Sequence, residues 1–207
     1  MGPDLFWDIR GGGGESLGVV VSWKLKLSVV RQTVTVVNIT RTFNRTTVVV
    51  LAKWVTFTLR PFLPGLTIHA MVLGNNTFFQ TLFLGSCSWL VGKMDAFFPE
   101  LGTTAADCRE MSWVCTMAFI GLRSIDINIP PDGMLNRTNN LSANVKNKSD
   151  YMRCAVGKAG WESIYRDHLM RNSALMMIME PHDGVVGYVI PNSAMPYPHH
   201  NNVLYNI

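Results

Sequence analysis

Apolar positions along the 207-residue chain recur with two periods, one near 3.6 and one of 2, and the switches between them predict its elements. Leu5, Phe6 and Ile9 share a helical face that stops at Gly11-Gly12-Gly13-Gly14. Residues 19–27 alternate and predict a strand, and residues 33–43, rich in β-branched side chains, predict a second. Leu51 and Trp54 stand three apart and suggest a short helix over 46–54 despite its valines. After Pro61 and Pro64, residues 66–73 and 78–84 read as a β-hairpin across Gly74-Asn75-Asn76. Trp89, Leu90, Met94, Phe97 and Phe98 then follow helical spacing up to Pro99 and Gly102. A second helix is expected over 111–122, opened by Asp107 and Glu110.

Residues 126–149 are rich in Asn, Pro, Asp, Gly and Ser and predict a long irregular loop. Over 158–170 an amphipathic helix directs Trp161, Ile164, Tyr165, His168 and Leu169 one way. Residues 174–180 form an apolar strand and 202–207 begin another. Helices that interrupt strands without strict alternation favour an α+β fold, an antiparallel sheet backed by helices on one face. No internal repeat is visible.

Composition sharpens this picture. Hydrophobic residues make up 48% and charged residues 15%, which argues for a filled interior and against disorder. The net charge of +4 is spread without a Lys/Arg block, so no nucleic-acid partner is expected. No apolar run reaches the roughly 18 residues of a membrane span, and the N-terminus lacks the pattern of a secretory signal. Six N-x-Ser/Thr sequons, at Asn38, Asn44, Asn75, Asn136, Asn140 and Asn147, nevertheless suggest descent from a secreted glycoprotein whose natural N-terminus lies elsewhere. Cys87, Cys108, Cys115 and Cys154 show no zinc spacing; buried free thiols are the default, with a disulfide among them left open. Trp7, Trp54, Trp89, Trp113 and Trp161 are expected as buried anchors, and Met176, Met177 and Met179 as core filling.

Four consecutive glycines point to a backbone that something approaches closely. No frame gives G-x-G-x-x-G, and the order is helix, glycines, strand, so neither a dinucleotide fingerprint nor a P-loop is present. A surface turn and a phosphate-bearing cofactor both remain open on composition.

The opening from Asp4 through Trp7, Arg10, the four glycines and Gly18-Val19-Val20 resembles the Asp-Leu-Phe-Trp-x-x-Arg-Gly-Gly-Gly-Gly segment of the berberine bridge enzyme-like proteins, plant FAD-linked oxidases. The resemblance continues in order through Thr81-Leu82-Phe83-Leu84-Gly85, Phe98-Pro99-Glu100-Leu101-Gly102, Asp107-Cys108-Arg109-Glu110-Met111-Ser112-Trp113, Leu135-Asn136-Arg137-Thr138, Lys148-Ser149-Asp150-Tyr151, Glu180-Pro181-His182-Asp183-Gly184 and Pro196-Tyr197-Pro198-His199. It implies a remnant of the flavin-binding domain over 1–30 and a substrate domain, incomplete at its C-terminus, over 31–207. It implies FAD, lined by Gly11, Gly12, Gly13, Gly14, Gly18 and Val19, and a small-molecule substrate oxidised by hydride transfer, with O2 as final acceptor.

The same resemblance places Glu180 and His182 as catalytic candidates before the flavin and His69 and Met71 on the substrate side. Asp183 replaces a usual glycine. The family's flavin-linked His and Cys lie upstream of the glycine loop, and its Leu-Tyr-Asn-Ile strand runs on to a catalytic Gln or Glu. This chain opens just before that loop and closes at Leu204-Tyr205-Asn206-Ile207. Covalent flavin attachment and turnover by the isolated chain are therefore not expected. The parent family is secreted or apoplastic. The competing reading is a non-catalytic truncated domain or gene-model fragment with a carbohydrate- or protein-binding role. His199 and His200 do not suggest a metal, because neighbouring strand residues face opposite ways.

Overall fold

A computed structural model of the chain describes residues 2–11, 17–58, 64–121, 130–135, 146–172, 175–182, 193–199 and 202–207. Seven antiparallel strands form one sheet in the order β4-β1-β3-β2-β6-β7-β5. They are β1 (Thr33–Thr42), β2 (Leu66–Leu73), β3 (Asn76–Phe83), β4 (Cys108–Ser112), β5 (Tyr151–Met152), β6 (Met176–Pro181) and β7 (Tyr205–Asn206). The helices are α1 (Pro3–Ile9), α2 (Arg45–Thr58), α3 (Cys87–Phe97), α4 (Trp113–Gly121) and α5 (Lys158–Ile164), the last running into a π-helical turn, Tyr165–Leu169. The α+β class, an antiparallel sheet with helices, is as the sequence predicts. Among the described residues no helix is long and apolar enough to cross a membrane.

The core lies on one face of the sheet. Val37, Ile39, Ile68, Ala70, Val72, Phe79 and Met179 point there by the strand period of two and meet α2, α3 and α5. In α2 the buried residues Val48, Leu51 and Val55, with Val50 and Trp54 beside them, make a stripe that overrides the weak helix propensity of valine. The helix therefore runs past the predicted end at 54. Its start is held by Asn44, whose Oδ1 accepts from the Thr47 N–H at 2.9 Å. Trp54 donates its indole N–H to the Ile68 carbonyl at 2.8 Å, so this buried ring leaves no donor unpaired. Trp161, Tyr165 and Leu169, four apart, are fully buried, whereas His168 is exposed and does not join their face.

The β2–β3 hairpin turns through Gly74 and Asn75, with Gly74 at φ +55° and Leu73 opposite Asn76. On the far face α4 packs over β1, burying Val34 and Val36 against the sheet. Among the described residues no helix packs over the β2–β6–β7 side of that face.

Several expectations are corrected. Residues 19–27 are not a strand in this chain: the segment is without regular structure, and Val19, Val21 and Leu27 are at least 90% exposed. Alternation supplies a face, but among the described residues no strand pairs with it. Residues 108–112, assigned to the approach of a helix, form edge strand β4 against β1. Cys87 and Cys108 are joined in a disulfide with a Cα–Cα distance of 5.8 Å, so they are not free thiols; Cys154 is exposed. Only Trp54 and Trp161 of the five tryptophans are fully buried; Trp89 is exposed and stacks on Phe83 at 5.0 Å. Of the methionine cluster only Met179 is buried, because Met176 alternates to the open face. Most of the 126–149 loop lies outside the described residues, apart from a 3-10 turn, Pro131–Leu135, and the stretch from Lys146 onward.

Candidate functional site

The strand registers bring six polar residues into one row on the face opposite the core. Asn38 on β1 stands opposite Gln80 on β3, and Gln80 opposite His69 on β2. The β2–β6 register, Ala70 with Met179, continues by one step to His69 beside Glu180. Glu180 pairs with Asn206 on β7, and Asn206 with Tyr151 on β5. One residue along the same face, Met71, Phe78 and Ile178 make an apolar strip beside the row. A polar band with an apolar margin is the surface a flat ring with a polar edge requires.

The best-formed part of the row is its β6–β7 end. Asn206 donates its amide N–H to Glu180 Oε2 at 3.3 Å, which fixes one carboxylate oxygen. Both residues, with Ile178 and Ile207, line a cavity of about 440 Å³ whose opposite wall carries Lys146 and Lys148. Asn206 Oδ1 is buried with no hydrogen-bond partner among the described residues. An acceptor left in that state is unfavourable unless a donor comes to it.

Beyond Asn206 the row ends in a cluster of aromatic and imidazole rings. Tyr197 donates its hydroxyl to Tyr151 Oη at 2.8 Å. His199 stacks on Tyr151 at 4.2 Å, and His182 approaches the Tyr151 ring edge-on at 5.7 Å. Burial, then hydrogen bonding to Tyr151, pushes the Tyr197 phenol up to about 12. Burial lowers the His182 imidazole below its ordinary value; Glu180 opposes that shift and His199 adds to it. His182 is therefore neutral at pH 7, and its Nδ1 has no hydrogen-bond partner among the described residues.

The glycine turn begins beside this cluster. Arg10 donates to the Ala194 carbonyl, and a Cβ on Gly11 would stand 3.0 Å from Pro196 and from the Tyr197 N–H nitrogen. A side chain there would force Pro196 and the Tyr197 backbone to give way. Gly12, Gly13 and Gly14 lie outside the described residues, while Gly18 takes φ +139° and Val19 is 93% exposed. Of the sequence-predicted residues, Glu180 and His69 join the row, Met71 its apolar strip, and His182 its rim. Asn38, read from sequence as a glycosylation position, is a member of the row instead of a loop residue. Gln80, Asn206, Tyr151 and Tyr197 were not singled out; the period of two in the 78–84 strand could have marked Gln80, whereas Asn206 and Tyr151 stand on two-residue strands with no period to read. Asp183 and His200 lie outside the described residues, and among those described no three metal-binding side chains cluster.

No family model matches the chain. Over its full length it is 41% identical to Cyn d 4, a berberine bridge enzyme-like protein of Cynodon dactylon, and covers 38% of that protein. It is 34% identical to berberine bridge enzyme-like 3 of Arabidopsis thaliana, again over its full length and 40% of the relative. Among solved structures, the Bermuda grass isoallergen BG60 superposes on 99% of the chain with a TM-score of 0.88 at 40% identity, 41% of that protein being covered. Phl p 4, a grass pollen allergen with glucose dehydrogenase activity, gives a TM-score of 0.88 at 37% identity over the same shares. The chain thus spans about two-fifths of the length of the curated relatives it matches.

Proposed function

The chain belongs to the berberine bridge enzyme-like family, and we propose that residues 31–207 form the substrate-side wall of an FAD-dependent oxidoreductase acting on a small organic molecule, with O2 as final acceptor. The observation that carries this reading is the row Asn38, Gln80, His69, Glu180, Asn206 and Tyr151 on the sheet face opposite the core. FAD, when bound, supplies the two-electron acceptor.

The residues present fit such a group. Buried polar atoms of Asn206 and His182 have no partner among the described residues, as expected of groups that meet a bound molecule. The Asn206 amide, Gln80 and His69 would orient the substrate's polar edge. Met71 and Ile178 keep water from its apolar side. Glu180, with one oxygen fixed by Asn206, holds the proton that the substrate's hydroxyl or amine gives up, and neutral His182 is its nearest assistant.

The test is a chimera in which this chain replaces the matching part of the Cynodon relative. It should retain flavin, and a panel of sugars, aromatic alcohols and alkaloids should reduce that flavin anaerobically. Glu180→Gln should slow reduction by roughly 10²-fold or more, the scale of a lost general base. A chimera that holds flavin but is reduced by no substrate class, or that is indifferent to Glu180→Gln, would defeat the proposal.

A further inference from the structure

The Tyr151 side chain is held from three directions and is left with one proton to give. Tyr197 donates to its Oη at 2.8 Å, His199 lies on its ring at 4.2 Å with 27° between the planes, and His182 meets the same ring edge-on at 5.7 Å. A phenol has a single O–H, so an oxygen that accepts from Tyr197 must direct its own proton elsewhere. Among the described residues nothing takes that proton: His182 Nδ1 stays unpartnered, and Tyr151 Oη makes no second hydrogen bond. Tyr197 and His199 are themselves fastened. They meet edge-on at 5.5 Å and ride on residues 193–199, where Arg10 donates to the Ala194 carbonyl and Gly11 lies against Pro196. A ring fixed in this way gives up little further freedom when its hydroxyl meets a ligand.

The register places this donor at a set distance from the candidate base. Tyr151 pairs with Asn206, and Asn206 with Glu180, so all three share one face. At about 4.8 Å for each strand step, the backbones at Tyr151 and Glu180 stand roughly 10 Å apart. The oxygen that Tyr151 serves is therefore a different one from the oxygen whose proton Glu180 takes. We propose that Tyr151 is a specificity-determining contact that donates to a second, non-reacting oxygen of the substrate, and that Tyr197 and His199 are positioning residues that aim it. This rests on the reading of the row as the substrate-side wall. A substrate with one oxygen gains nothing from such a donor. A substrate with several gains a bond that is present before and during the reaction alike, which tightens capture without speeding the chemical step.

The experiment uses the chimera described above, with D-glucose, which carries several oxygens, and benzyl alcohol, which carries one, as probes. Capture is read from the concentration dependence of anaerobic flavin reduction. It is also read without turnover, from the NMR shift of the hydroxyl-bearing ring carbon of Tyr151 in chimera made with isotope-labelled tyrosine, assigned by Tyr151→Phe. Tyr151→Phe should weaken capture of D-glucose by roughly threefold or more, the scale of one neutral hydrogen bond, and change capture of benzyl alcohol by less than about twofold. Most of the loss should fall on capture and little on the limiting rate of reduction. Tyr197→Phe should weaken capture of D-glucose in the unaltered chimera and add nothing once residue 151 is phenylalanine, the non-additivity of a residue that acts through another. Equal weakening of both probes, unchanged capture of D-glucose, a loss confined to the limiting rate, or additive effects of the two substitutions would each overturn the inference. A Tyr151 signal that D-glucose moves while flavin stays oxidised or is not retained supports it, and counts only against the hydride-transfer reading. A signal that D-glucose leaves in place, with no reduction, overturns it.

Discussion

At the scale of single residues, two side chains of the row link local environment to measurable behaviour. Burial lowers His182, so the folded chain binds its proton less readily than the unfolded chain does. The sign follows: its contribution to stability is fully present above the ordinary value of 6.5 and is lost as pH falls through it towards the lowered folded value. Thermal stability should therefore decline between pH 7 and pH 5, and His182→Phe, which keeps a ring beside Tyr151, should flatten that decline. A His182 imidazole that titrates at or above 6.5 by NMR would contradict the assignment. Asn38 gives the second case. It sits mid-strand opposite Gln80 and is half-buried, whereas Asn44, Asn75 and Asn147 are exposed. Glycopeptide mass spectrometry on chain secreted from plant cells should find glycan at exposed sequons and none at Asn38. Glycan at Asn44 is compatible with its capping role, because modification takes Nδ2 and the cap uses Oδ1.

At the scale of elements, edge strand β4 is short and depends on what fastens it. The Cys87–Cys108 disulfide joins it to the start of α3 across a separation of 21 residues, and Glu110 accepts a hydrogen bond from the Cys87 N–H at 2.8 Å. Cys108→Ser should cost about 2–4 kcal/mol, read as a lower urea midpoint at similar slope. An unchanged midpoint would show that β4 is held by its ladder alone. This element also marks where sequence reading reached its limit. The run Leu66–Leu73 was legible to the residue because alternating burial, a glycine turn and β-branched side chains all agree there. Residues 108–112 mix Arg, Glu and Ser with one Cys and one Met, so neither period stands out, and only pairing with β1 makes them a strand. The extended alternation of 19–27 misleads in the opposite direction: its pattern is that of a strand, and the pattern is complete while the partner is not. Of the site, Glu180, His182, His69 and Met71 were legible through resemblance to a family, but the row itself was not. It exists only once six strands are laid in register.

At the scale of the whole molecule, the chain has one tier built to be stable and another built to be covered. The first tier is β1, β2 and β3 under α2, α3 and α5, where most core side chains are fully buried and each strand is paired on both sides. The second is α1 with residues 17–31, whose helix buries no residue and whose extended part has a water-exposed apolar face. The two tiers meet through Arg10 with Ala194 and Gly11 with Pro196, a small junction. Exchange of a backbone amide requires opening, and opening of an amide without a ladder partner costs almost nothing. In the isolated chain, amides of residues 19–31 should therefore exchange near the rate of an unstructured peptide, while those of β1 to β3 exchange only with global unfolding. Slow exchange across 19–31 in a chain shown to be monomeric would mean that the segment finds its partner within residues 1–207, and the division into two tiers would then be wrong.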